Sequence, residues 1–188
     1  MDYSNIGDRT EGGHEGKTAK KAEQIIISVC GVKNSGKTTL LAGIVKELIK
    51  RGKKPAVIKH DGHDFSCDVL GTDSWILKEA GAYGTAVFSD SRIFIHKTGT
   101  GEGEKELIRM FPEADVILIE GMKEKSFPKI EVIREGVSTH PVSNPEGRFL
   151  IVTDRNPEGY DEETAGFEEA GRIVDRILQK GWKAYEGD

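Results

Sequence analysis

No apolar run in this sequence approaches the roughly 20 residues that a membrane-crossing helix needs. The N-terminus also lacks the apolar core of a secretory signal, so a cytoplasmic protein with no membrane partner is the expectation. Cysteine is scarce: Cys30 and Cys67 are the only two in 188 residues, too few for a disulfide framework. Basic residues do not gather into a stripe and the net charge is −5, which argues against nucleic acid as a partner. Residues 1–23 hold few apolar side chains among Gly, Lys, Glu, Asp, Ser and Thr. They read as a disordered leader, unable to bury a core. Residues 24–188 suffice for one α/β domain with a real core, without an internal repeat or a second-domain boundary.

What the sequence does have is a run that fits the P-loop pattern G-x-x-x-x-G-K-[ST] at every fixed position: Gly31-Val32-Lys33-Asn34-Ser35-Gly36-Lys37-Thr38. An apolar, β-branched segment, Ile25-Ile26-Ile27-Ser28-Val29, precedes it and an amphipathic helical pattern follows, the strand–loop–helix setting that the motif requires. Backbone N–H groups of Gly31, Asn34, Ser35 and Gly36, with the helix N-terminus, form a nest for phosphate oxygens. Lys37 adds a point charge at the β/γ-phosphates, and the Thr38 hydroxyl can ligate Mg²⁺.

The remaining pattern alternates strands and helices. Residues 25–30 form the first strand. A helix over 37–51 carries the stripe Leu40, Leu41, Ile44, Val45, Leu48 and Ile49, stopped by Gly52. Residues 55–59 read as a second strand, and Thr72 or Asp73 can cap a helix through Ala80. Residues 85–88 and 92–96 read as a hairpin around Ser89-Asp90-Ser91, and 104–111 as a helix. Val116-Ile117-Leu118-Ile119 has the continuous apolar character of a strand buried on both faces. Residues 129–134 alternate like a half-exposed strand, 149–153 read as another buried strand, and a last helix is expected over 162–180 with Phe167, Ala170, Val174, Ile177 and Leu178 as its stripe. The expected class is α/β, P-loop NTPase-like: a mostly parallel sheet with helices on both faces and an extra hairpin. Ligands in such sheets bind at the carboxyl ends of the strands.

Three strand ends supply candidates. Glu120 follows the buried 116–119 run, a Walker B-like acid beside Mg²⁺ and the γ-phosphate, whereas Asp115 lies at the wrong end of that strand. The second strand ends in Lys59-His60-Asp61-Gly62-His63-Asp64, a switch-like loop. There Asp61 or Asp64 can hold metal-bound water, and Lys59 can offset phosphate charge. With Cys67, the same loop also admits a transition-metal site or a plain polar surface loop. Asp154 ends the 149–153 strand. Such an acid can accept hydrogen bonds from guanine N1–H and N2–H₂, or simply begin a loop.

These segments resemble the molybdopterin-guanine dinucleotide biosynthesis adaptor protein B (MobB) family. The resemblance rests on GVKNSGKTTLL from Gly31, IKHDGHDF from Ile58 with Gly71-Thr72-Asp73-Ser74 beyond it, VILIEGMK from Val116, and PKIEVIR from Pro128. It implies a GTP-binding P-loop fold, a homodimer joined by extended strands, and weak GTP hydrolysis. The implied role is to assist the molybdopterin guanylyltransferase that attaches GMP to molybdopterin, with molybdopterin itself a second ligand to present. By the same resemblance Gly36, Lys37, Thr38 and Thr39 fall on the phosphate site. His60, Asp61, Asp64 and Glu120 fall on the positions facing it, with GTP and Mg²⁺ as the bound groups. Thr38, Asp61 and Glu120 are the expected metal-side residues, with Asp61 and Glu120 the candidates to act on the attacking water.

Two other function classes fit a P-loop: a metallochaperone GTPase for metalloenzyme maturation, supported by the His/Cys-bearing loop, and a small-molecule kinase. Arg92, Arg134 and Arg155 are candidate arginine fingers, in cis or across a dimer. Residues 85–96 and 129–134 are expected as surplus edge strands, and such edges seek partners.

Overall fold

The computed structural model describes residues 23–61, 65–98, 103–156 and 159–184. Strand β1 (Gln24–Cys30) runs into the Gly-rich loop and helix α1 (Lys37–Lys50), then strand β2 (Pro55–Lys59). Helix α2 (Asp73–Glu79) leads to the hairpin β3 (Gly84–Ser89) and β4 (Arg92–Lys97), and helix α3 (Glu104–Arg109) leads to β5 (Val116–Glu120). Strands β6 (Lys129–Ile133), β7 (Arg148–Thr153) and β8 (Glu163–Ala165), helix α4 (Ala170–Lys180) and β9 (Trp182–Ala184) complete the chain.

The main sheet has the order β2-β5-β1-β6-β7-β8, and those pairings are all parallel. One edge of β1 is shared. Gln24, Ile25 and Ile26 pair antiparallel with β9, and Ser28, Val29 and Cys30 pair with β6. The hairpin β3-β4 forms its own two-stranded sheet. Alternation along the strands sorts the core into two layers. Ile27, Val29, Val116, Leu118, Ile130, Val132, Leu150 and Val152 face α1 and α4. On α1 the buried residues Leu40, Leu41, Ile44 and Leu48 recur at helical spacing. The opposite face buries Ile26, Ile58, Ile117 and Ile119 against Ile108 of α3 and against Met122 and Phe127. Strand β5 is buried throughout, Glu120 included, as a parallel strand with two neighbours must be.

Two sequence expectations need correction. Strand β6 is not half-exposed and not an edge: it lies between β1 and β7, and Lys129 and Glu131 are both buried. The chain that folds over them supplies partners to Lys129 and to one carboxylate oxygen of Glu131, while Glu131 Oε2 is buried without a hydrogen bond among the described residues. Lys129 Nζ donates to the carbonyls of Lys125, Asn144 (3.3 Å) and Glu146 (2.9 Å), and Glu131 Oε1 accepts from Val142 N at 2.9 Å. Burial holds the Lys129 ammonium below the usual lysine range. The last helix also begins later than its apolar spacing suggests. Residues 163–165 pair in parallel with β7 instead, because the open edge of β7 offers hydrogen bonds that an isolated first turn lacks. Phe167 therefore stands in the loop between β8 and α4, not on a helical stripe.

Candidate functional site

The Gly-rich loop sits where β1 ends, and its shape follows from three residues. Gly31 (φ 142°), Asn34 (φ 64°) and Gly36 (φ 91°) all have positive φ, which glycine adopts freely and asparagine tolerates. At Gly31 a Cβ would lie 2.6 Å from the carbonyl oxygen of Val132, so the loop can lie against β6 only with glycine there. Gly36 is the N-cap of α1 and supplies no side-chain cap, which leaves the first-turn N–H groups to an external acceptor. Ser35 is buried, and its Oγ has no hydrogen-bond partner among the described residues. An orphan donor beneath a nest of backbone N–H groups suits an anion.

Lys37 lies in the first turn, and its Nζ donates to Val32 O at 2.7 Å, folding back over the loop. Thr38 Oγ1 donates to Glu120 Oε2 at 3.2 Å. Thr39, one residue further on α1, is exposed. Glu120 is 8% exposed, so its carboxylate faces the loop and not bulk water. The donor set there, one hydroxyl and one carboxylate, is all oxygen and small. That fits Mg²⁺, which takes one or two protein ligands and keeps its other positions for water and phosphate.

The β2 end joins from the other side. Lys59 pairs with Glu120 in register and His60 N donates to Glu120 O at 2.9 Å. Lys59, His60 and Asp61 are exposed at this edge; Asp64 and His63 lie outside the described residues. Gly121 locks the three ends together. Its N–H donates to Val29 O at 3.0 Å, and its carbonyl accepts from Ser28 Oγ (2.6 Å) and Cys30 Sγ (3.1 Å). A Cβ at Gly121 would lie 3.0 Å from His60 O. Burial pushes the Cys30 thiol up, as expected of a structural cysteine. Asp115 is at the opposite end of β5, where its Oδ2 accepts from Lys54 N at 2.7 Å. Among the described residues, which leave out His63 and Asp64, no group of three or more His, Cys, Asp and Glu is placed to hold a metal.

On the other side of the loop, Arg134 follows β6, Asp154 follows β7 and Phe167 follows β8. The Arg134 guanidinium stacks over the Phe167 ring at 4.9 Å, and its Nε lies 3.6 Å from Asp154 Oδ2. Asp154 Oδ1 accepts from Glu135 N at 2.7 Å. Arg92 belongs to the hairpin, and Arg155 Nη1 donates to Ser138 O at 3.3 Å. The sequence pattern marks Arg134 only as one of several arginines. Phe167 carries no signal of its own, since its neighbour across the loop is 33 positions away only after β6, β7 and β8 have aligned their ends.

A parallel sheet with the Gly-rich loop after its central strand and an acid after the adjacent one defines the P-loop NTPase-like α/β class. The chain belongs to the MobB family: the sequence model for "Molybdopterin guanine dinucleotide synthesis protein B" matches residues 26–154. It is 32% identical over 155 residues to the molybdopterin-guanine dinucleotide biosynthesis adapter protein of Haemophilus influenzae, covering 81% of this chain and 86% of that one. It is 37% identical over 122 residues to the Escherichia coli adapter protein of the same name, covering 62% of this chain and 70% of the relative. The crystal structure of Bacillus subtilis MobB superposes with a TM-score of 0.65 at 23% identity, covering 84% of this chain and 98% of that one. That likeness extends the shared fold to nearly the whole solved chain. Among the described residues no helix is long and apolar enough to cross a membrane.

Proposed function

We propose that this protein is a GTP-binding adaptor of molybdenum-cofactor biosynthesis. It would serve in the cytoplasm, assisting a molybdopterin guanylyltransferase in attaching GMP to molybdopterin. The observation that carries the nucleotide reading is the 3.2 Å contact between Thr38 and Glu120 above a loop shaped by Gly31, Asn34 and Gly36. Family membership supports the biosynthetic setting.

In this reading the loop N–H groups and the α1 N-terminus hold the phosphates. Lys37 exchanges its 2.7 Å bond to Val32 O for phosphate oxygens. Thr38 offers its oxygen to Mg²⁺, and Glu120 orients that hydroxyl and adds negative charge on the metal side. The metal, when bound, offsets the charge of the phosphates. Lys59, His60 and Asp61 flank the same side, where Asp61 would orient water. Positioning and charge are most of what phosphoryl transfer needs, and a slow, unassisted GTPase suits an adaptor. A homodimer completes the proposal. The hairpin β3-β4 exposes Phe88 (82%) and Ile93 (74%), a surface that a second copy would cover.

The test is reconstitution. Purified protein should bind GTP in preference to ATP by calorimetry and should speed guanine dinucleotide cofactor formation by the guanylyltransferase. Equal or no affinity for the two nucleotides, together with an unchanged transferase rate, would refute the proposal.

A further inference from the structure

The P-loop reading uses one side of the loop, where β5 and β2 end. On the other side, Arg134 is held by two contacts and lies close against Gly36. Its guanidinium stacks on Phe167, its Nε lies near Asp154, and a Cβ at Gly36 would lie 3.0 Å from its Nη1. The guanidinium thus lies against the backbone of the residue that caps α1. Its side chain is 44% exposed, so part of its N–H fork remains open to a ligand in the loop. A planar fork already stacked and charge-paired loses little further entropy when it binds phosphate. Asp154, in turn, is occupied at both oxygens, by Glu135 N and by Arg134.

We infer that Arg134 binds the phosphate oxygens of the nucleoside diphosphate portion of the ligand, and that Asp154 is its positioning residue and not the reader of the base. This rests on the P-loop reading above. The sheet order β5-β1-β6 puts Arg134 across β1 from Glu120, on the side away from the metal. Its contribution is therefore the same for GDP and GTP and independent of Mg²⁺. An arginine finger behaves differently, acting on the transition state of γ-phosphoryl transfer.

The experiment is calorimetry on the full chain with GDP and GTP, each with Mg²⁺ and with EDTA. It compares the parent with Arg134→Met, which removes the guanidinium and keeps an unbranched side chain, and with Asp154→Asn. Arg134→Met should lose about tenfold or more in affinity for both nucleotides under both conditions, the loss of one charge-assisted hydrogen bond. Asp154→Asn should show a smaller loss in the same pattern, with GTP still preferred over xanthosine triphosphate. Should Arg134→Met not fold, Arg134→Lys replaces it, keeping the charge without the stacked fork, and should lie between parent and the expected Met value. Parent-like GDP affinity in the arginine variant overturns the inference, as does a switch to xanthosine triphosphate in Asp154→Asn. A Lys37→Ala control that binds like the parent, or a parent that binds neither nucleotide, overturns the P-loop reading as well, which separates the two failures.

Discussion

Thr38 and Glu120 are 82 positions apart in the sequence and meet at 3.2 Å where α1 begins and β5 ends. The contact joins the loop to its neighbouring strand through a hydroxyl and a carboxylate. A carboxylate that is mostly buried and aimed at a hydroxyl is costly unless a cation or donor repays it.

Glu120→Gln should therefore weaken GTP binding only when Mg²⁺ is present. In EDTA the variant should bind GDP like the parent. Affinities measured for both nucleotides, with and without metal, decide it; equal losses in all four would assign Glu120 to the fold alone.

Lys37→Ala should lower nucleotide affinity by about tenfold or more through the lost charge-assisted contact. Its melting temperature without ligand should stay within a few degrees of the parent, since the bond given up is a single one to Val32 O. A variant that binds normally, or one that melts far lower, contradicts this.

Lys129 offers the sharpest stability test. Lys129 is 0% exposed, and its ammonium ties the carbonyl of Lys125, before β6, to those of Asn144 and Glu146, after it. Lys129→Ala leaves those carbonyls without their donor and opens a cavity, at a cost of about 3 kcal/mol or more. Lys129→Met restores volume but not donors and should recover only part. Urea unfolding of the two variants measures both terms, and a cost below about 1 kcal/mol for the alanine would be inconsistent with a tertiary role.

Glu163 sits between Arg172 and Arg176 of α4 and accepts from both. The hydrogen bonds from Arg176 and then Arg172 hold its carboxyl below the usual value of 4.5. The folded pKa lies under the unfolded one, so this contribution is complete above about pH 4.5 and is lost as pH falls through the folded value. Glu163→Gln should lower stability at neutral pH and flatten the acid limb of a stability–pH curve below 4.5. An unchanged acid limb would show that the pair contributes nothing measurable.

Phe88→Asp in the exposed hairpin should yield a monomer by light scattering, whereas the parent is expected to be a dimer. The variant should keep its GTP affinity if each subunit carries a complete site. A parent that is monomeric at working concentration counts against the homodimer.

Much was legible because local chemistry and tertiary structure agree. The loop after β1 needs glycine at positive φ and a Lys-Thr pair at the helix start, and those residues are contiguous. The continuous apolar run of β5 announces a strand buried on both faces, and the acid that ends it lies at the carboxyl edge of the sheet, beside the Gly-rich loop. The 72–80 helix also begins where expected, with Thr72 Oγ1 accepting from Trp75 N. The misreadings share one cause. Alternation in β6 normally means one wet face, yet residues 142–146 fold over that face and supply two carbonyls to Lys129 and the Val142 N–H to Glu131. Apolar spacing carried the last helix back to 162, yet β7 offered an unpaired edge and took residues 163–165 as a strand.

The sequence by itself determined the Gly-rich loop after β1, the parallel α/β class and the acid at the end of β5, since each depends on residues adjacent in the chain or on period. Only the tertiary structure decided that Arg134, Asp154 and Phe167 form one cluster beside Gly36. Those side chains come from the ends of three different strands, and their meeting depends on strand order, which no local pattern encodes.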